Sequence, residues 1–176
     1  SQLYQIIKSF YAELPDWDKY FYYNEKEAGT YVELAETGVK SQMNPHQIAS
    51  YYRGAALCYQ ENPENLIQSA TCYYIAGDYF SQSRKIYEAA INYFDAAKIF
   101  EELENYQKAK KLFLKAGQYA ARSRHYQEAI ENFMWAFEIS QKIPQSDKMS
   151  LNLLINTLEE YAHREFHDQN YFIAGS

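Results

Sequence analysis

The sequence predicts an all-α fold: a right-handed superhelical solenoid of antiparallel helix hairpins, with about eight helices. Three observations carry that expectation. The first is a pattern repeated in four successive segments between Leu66 and Ser140. The register is Ile67-Ala70-Tyr74-Gly77-Phe80, then Tyr87-Ala90-Phe94-Ala97-Phe100, then Tyr106-Ala109-Phe113-Ala116-Tyr119, then Tyr126-Ala129-Phe133-Ala136-Ile139. Steps of three and four hold all five positions on one helical stripe. The second is the period. The alanine column falls at 70, 90, 109 and 129, so each unit is one helix plus a turn and two units make a hairpin of about 40 residues. The third is composition. Only six Gly and four Pro fit long helices with short turns, and no Val/Ile/Thr-rich strand pattern is present. Small residues beside aromatics let a ring sit over a neighbouring backbone, which is how stacked hairpins bury a shared core.

The chain has 176 residues, enough for one solenoid. It is 47% hydrophobic yet has a mean hydropathy of -0.59, because 19 Tyr count as apolar on one scale and polar on the other. A tyrosine ring packs while its hydroxyl reaches the rim. The net charge of -6 disfavours nucleic acid and anionic membrane as partners. It is unevenly spread: residues 1–65 carry -4, residues 66–143 carry +1 and residues 144–176 carry -3. Cys58 and Cys72 read as small buried hydrophobes in a reducing compartment, out of level for a disulfide. No run long enough to span a bilayer and no signal peptide is visible. The chain opens at Ser1 without Met, which fits a fragment.

The expected organisation is a single helical-repeat domain over 1–176, with N-terminal lid helices at 1–44, core hairpins at 45–143 and a capping helix and tail at 144–176. Residues 2–14 place Leu3, Ile6, Ile7, Phe10 and Leu14 on one face before Pro15 stops the helix. Asp16 or Asp18 can cap the next helix. The aromatic run Trp17–Tyr23 reads as the lid of the stack, or as a loop that inserts into a lipid or a partner. A helix over 25–37 ends at Gly38 as its C-cap. Asn44-Pro45 starts a helix running to about Gln60, with Ile48, Tyr52, Ala55 and Tyr59 inward, and Asn62-Pro63 repeats the start signal. Helices at about 85–103, 105–121 and 125–141 come next. After Pro144, Ser146 or Asp147 caps a last helix with Leu151, Leu154, Ile155, Leu158, Tyr161 and Ala162. Residues 168–176 form a tail.

Two stretches carry a resemblance. Tyr126-Gln127-Glu128-Ala129-Ile130-Glu131-Asn132-Phe133 resembles the second helix of a tetratricopeptide repeat, and Ala76-Gly77-Asp78-Tyr79-Phe80 the end of a first helix. The run Ser69-Ala70-Thr71-Cys72-Tyr73-Tyr74-Ile75-Ala76-Gly77-Asp78-Tyr79-Phe80, with Ala55-Ala56-Leu57-Cys58-Tyr59 before it, is similar to the soluble NSF attachment proteins. The resemblance covers about 45–141. It implies a cytoplasmic adaptor, peripheral to membranes, that grips a SNARE helical bundle and recruits the NSF ATPase in vesicle traffic. Tyr171-Phe172-Ile173-Ala174-Gly175-Ser176 departs from the acidic, leucine-bearing terminus with which that family stimulates NSF, and the chain is much shorter than that family's full length. A tetratricopeptide-like scaffold or co-chaperone for short peptides, a bacterial protein imitating a host adaptor, and an oligomerising repeat are the other readings.

The candidate partner-binding residues are Lys108, Lys111, Lys115 and Arg122. Steps of three, four and seven put them on one helical face beside the core stripe, with Lys110 off it. A cationic strip of this kind meets an acidic helical partner; an ordinary solvated face, partly neutralised by Glu101, Glu102 and Glu104, is the alternative. Glu160, His163 and His167 have spacing that can hold a metal, but no partner motif completes it, and two surface histidines near a helix end fit as well. No P-loop, no G-x-S-x-G and no glycine-rich loop is present, so neither an enzyme nor a cofactor is expected.

Overall fold

The protein's structure is a computed structural model. It describes residues 17–143 and, in the flanks, the helical positions 5–7, 9, 152, 155, 156, 159, 160 and 163. Pro15, most of the expected helix over 151–162, His167 and the tail at 168–176 lie outside the described residues. Between 17 and 143 the chain forms six α-helices: α1 (Trp17–Lys40), α2 (Pro45–Gln60), α3 (Leu66–Gln82), α4 (Ile86–Glu102), α5 (Tyr106–Arg122) and α6 (Tyr126–Gln141), with a 3-10 turn at Pro63–Asn65. There is no strand among the described residues. Each helix packs on the helix before it and the helix after it, the arrangement of an α-solenoid.

Two start signals act as the sequence predicts. Asn44 Oδ1 accepts from His46 N at 2.9 Å, with Pro45 in the first turn. Asn62 Oδ1 accepts from Glu64 N at 3.0 Å, but Pro63 opens the 3-10 turn and α3 proper begins at Leu66. The N-terminal part needs correction. Trp17–Tyr23 and the helix expected over 25–37 are not two segments; they form one 24-residue helix that continues to Lys40. Its aromatics divide by helical face: Tyr20 is buried and donates to Glu61 Oε2 at 2.9 Å, while Trp17 and Tyr22 are exposed. Gly38 is not a C-cap. It lies within α1, where a Cβ would come within 3.2 Å of Met43 Sδ and 3.3 Å of Ile48 Cγ1.

The four tight turns share one construction. After α1, α3, α4 and α5, the residue in the left-handed region is Gln42, Arg84, Glu104 and Arg124, with φ of 54°, 60°, 56° and 66°. The next residue's N–H returns to the carbonyl five back: Met43 to Gly38, Lys85 to Phe80, Asn105 to Phe100 and His125 to Ala120, at 2.8–2.9 Å. These are Schellman turns without the usual glycine.

The repeat is real, and its register differs from the expectation in the first two segments. Ile67 is 60% exposed and Tyr74 is 39% exposed, whereas Ser69 and Tyr73 are buried. The observed stripe is Leu66-Ser69-Tyr73-Ala76-Tyr79, then Ile86-Ala89-Tyr93-Ala96-Ile99. It continues with the predicted Tyr106-Ala109-Phe113-Ala116-Tyr119 and Tyr126-Ala129-Phe133-Ala136-Ile139. The period is 20 residues throughout. Two glycines fix how closely the helices meet. A Cβ on Gly77 would lie 2.5 Å from Tyr93 Cε1, and one on Gly117 2.5 Å from Phe133 Cε1. Both members of each contact recur 40 residues on, one hairpin later.

Cys58 and Cys72 are buried and free, and burial pushes the Cys72 thiol up to about 11. Asn92 and Asn132 are buried one hairpin apart; each donates from Nδ2 to the carbonyl four residues back at 2.7 Å, and each leaves Oδ1 without a hydrogen-bond partner.

Candidate partner-binding site

Side chains of alternate helices meet across the intervening one, which defines two sides of the molecule. On the odd-helix side, Lys115 of α5 reaches Asp78 of α3, and Ser81 Oγ and Tyr119 Oη are 3.0 Å apart. On the even-helix side, Lys98 of α4 lies 4.0 Å from the ring centroid of Trp135 in α6.

The predicted cationic residues all lie on α5 and do not act alike. Lys108 and Lys111 are exposed. Lys108 Nζ is 4.9 Å from the Phe100 ring centroid; Lys111 has no ion pair among the described residues. Lys115 is partly buried and already paired. Its ammonium donates to Asp78 Oδ1 at 2.7 Å and sits over the rings of Tyr93 and Tyr74, at 4.1 and 4.9 Å. Asp78 Oδ1 also accepts from Tyr93 Oη at 2.7 Å. Above all burial, and then that bond, hold the Tyr93 phenol far above its ordinary range. Arg122 stacks over its own neighbour Tyr119 at 5.2 Å, two turns along the helix from Lys115. Lys110, off the row as expected, is buried.

Lys108, Lys111 and Lys115 do converge on one feature. With Thr71, Tyr74, Phe100 and Leu112 they line an open groove of about 450 Å³ between α3 and α5. Tyr74 supplies exposed apolar surface at its α3 edge, and Ile67, two turns earlier on α3, is exposed as well. Helix α5 carries four lysines and one arginine with no acidic residue, so the α5 rim is uniformly positive. The sequence reading missed the α3 half of the groove, because its register placed Ile67 and Tyr74 in the core. An apolar strip facing a cationic strip suits an amphipathic acidic helix: rim charge steers it and the apolar edge holds it.

Neither a metal cluster nor a helix long and apolar enough to cross a membrane occurs among the described residues. Glu160 and His163 occupy exposed helical positions.

Residues 10–147 match the family model described as soluble NSF attachment protein, SNAP. The match takes in more than half of the chain and begins well before residue 45, where the resemblance in the sequence starts. No curated protein matches the chain. The matched family is one of helical, non-enzymatic adaptors that act on protein partners at the membrane periphery, in keeping with stacked helices and a charged groove. The chain belongs to the soluble NSF attachment protein family.

Proposed function

We propose that this chain is a cytoplasmic adaptor of vesicle traffic that holds a SNARE-type helical bundle against its odd-helix side and presents it to the NSF ATPase. The observation that supports this most is the α3/α5 groove, with Lys108 and Lys111 along one edge and Thr71 and Tyr74 along the other. In this reading, residues 1–44 cover one end of the stack, 45–143 form the gripping hairpins and 144–176 close the other end. The mechanism is static. Rigid hairpins fix the lysines at helical spacing, and an acidic rod is held without any bond being made or broken. Lys115 acts as a positioning residue, because its charge is already matched by Asp78.

Charge reversal tests this. Lys108→Glu with Lys111→Glu should weaken capture of an assembled SNARE bundle by about tenfold or more and flatten its salt dependence. The fold should be unchanged, since both ammonium groups are exposed. Capture that is insensitive to this pair would remove the reading; retention of a short extended peptide instead of a bundle would favour a generic scaffold.

A further inference from the structure

The even-helix side carries the lysine groove again with its charge inverted. Twenty residues beyond Thr71, Tyr74, Phe100, Lys108, Lys111 and Leu112 stand Ile91, Phe94, Ala120, Glu128, Glu131 and Asn132. These six line a second, smaller groove, of about 120 Å³, between α4 and α6. The correspondence runs position by position because the period is 20 in all four helices. Lysine on the rim at 108 and 111 becomes glutamate at 128 and 131. At the floor, Leu112 becomes Asn132.

Three features make this more than an acidic patch. Helix α6 carries three glutamates and no basic residue, and neither Glu128 nor Glu131 has an ion pair among the described residues. Tyr87 closes one end: its hydroxyl donates to Glu128 Oε1 at 3.3 Å, and its ring stacks on His125 at 3.6 Å between centroids. Asn132 lines the groove while only 6% exposed, with Oδ1 lacking any hydrogen-bond partner. Ile91 and Met134 are exposed apolar residues on the same two helices.

We propose that the α4/α6 groove is a second binding site, which takes a lysine- or arginine-bearing apolar segment of a protein partner. The space suits one side chain, not a cofactor. The aliphatic stem of a basic side chain lies over Ile91 and Phe94. Its N–H groups are directed to the carboxylates of Glu128 and Glu131. The molecule is then bivalent, gripping acidic helices on one side and a cationic segment on the other. This site is independent of the lysine groove and of the identity of what binds there.

The test uses two labelled amphipathic peptides of about 18 residues, long enough to form a helix. They share one leucine pattern; one carries lysine and the other glutamate at every polar position. Binding to the full chain is measured by fluorescence anisotropy. The lysine peptide should bind, and Glu128→Lys with Glu131→Lys should weaken it by about tenfold or more. Glu33→Lys with Glu36→Lys on α1 changes net charge equally at exposed positions and should weaken it by less than about twofold, as general attraction to an acidic chain does. Lys108→Glu with Lys111→Glu should not weaken it. Equal losses in the α6 and α1 pairs, or no binding by about 100 μM peptide, would overturn the site. Self-association that is lost in the Glu128/Glu131 pair and resists the peptide would put a second copy in the groove and overturn the partner assignment. Circular dichroism of each variant separates these results from loss of fold.

Discussion

The distance between helices is set by single residues. Gly77 and Gly117 face Tyr93 and Phe133, rings that are themselves buried, so a methyl group at either glycine has nowhere to go. Gly77→Ala and Gly117→Ala should each destabilise by about 1–3 kcal/mol through overpacking, read as a lower denaturation midpoint. Gly29→Ala, where nothing lies within 4 Å, serves as the control and should be neutral or stabilising. Asp95 gives a second prediction. Burial pushes its carboxyl up to about 6, against the pull of Arg53. Across the window from about pH 4 to pH 6 the folded chain therefore binds more protons than the unfolded one, and stability falls as pH rises. Asp95→Asn should remove that fall and raise stability at neutral pH by about 1–2 kcal/mol, measured by denaturation at several pH values. The lysine row on α5 was legible because it is local, with spacings of three and four. That Lys115 is neutralised was not legible, because Asp78 lies 37 residues away and only the hairpin brings it near.

The helices and their turns were read almost to the residue from 85 onward, where Asn105 and His125 mark the starts. Two features misled. In α3 and α4 the doublets Tyr73-Tyr74, Tyr93-Phe94, Ala89-Ala90 and Ala96-Ala97 let two registers satisfy the same pattern. Alanine at 70 outweighed the buried serine at 69, whose hydroxyl donates to the Ala56 carbonyl at 2.8 Å. In α1, Gly38 imitates a helix stop, although it lies within the helix, where a Cβ would press on the Met43 and Ile48 side chains. The left-handed turn residues were invisible, because Gln, Arg and Glu are not residues that ask for positive φ. They make a prediction. Arg84→Gly and Arg124→Gly relieve that backbone strain and should each stabilise by up to about 1 kcal/mol after glycine's greater unfolded freedom is counted. Thermal melts of the single and double variants check it; a loss of stability in both would show that the arginine side chains matter more than the turn.

A 20-residue repeat places every odd helix on one side of the molecule and every even helix on the other. Point charges at two repeat positions then decide what each side attracts. Lysine at 108 and 111 and glutamate at 128 and 131 give a chain of net charge -6 two grooves of opposite sign, which the overall charge conceals. The family and the fold were both within reach of the sequence. The α3 edge of the groove was not, because a one-residue slip in register turns an exposed strip into an expected core. Amide hydrogen exchange, with and without an assembled SNARE bundle, shows which helices the bundle covers. New protection is expected in residues 67–75 and 107–115, with α4 and α6 unchanged. Protection confined to α4 and α6, or none along α3 and α5 at saturating bundle, would contradict it.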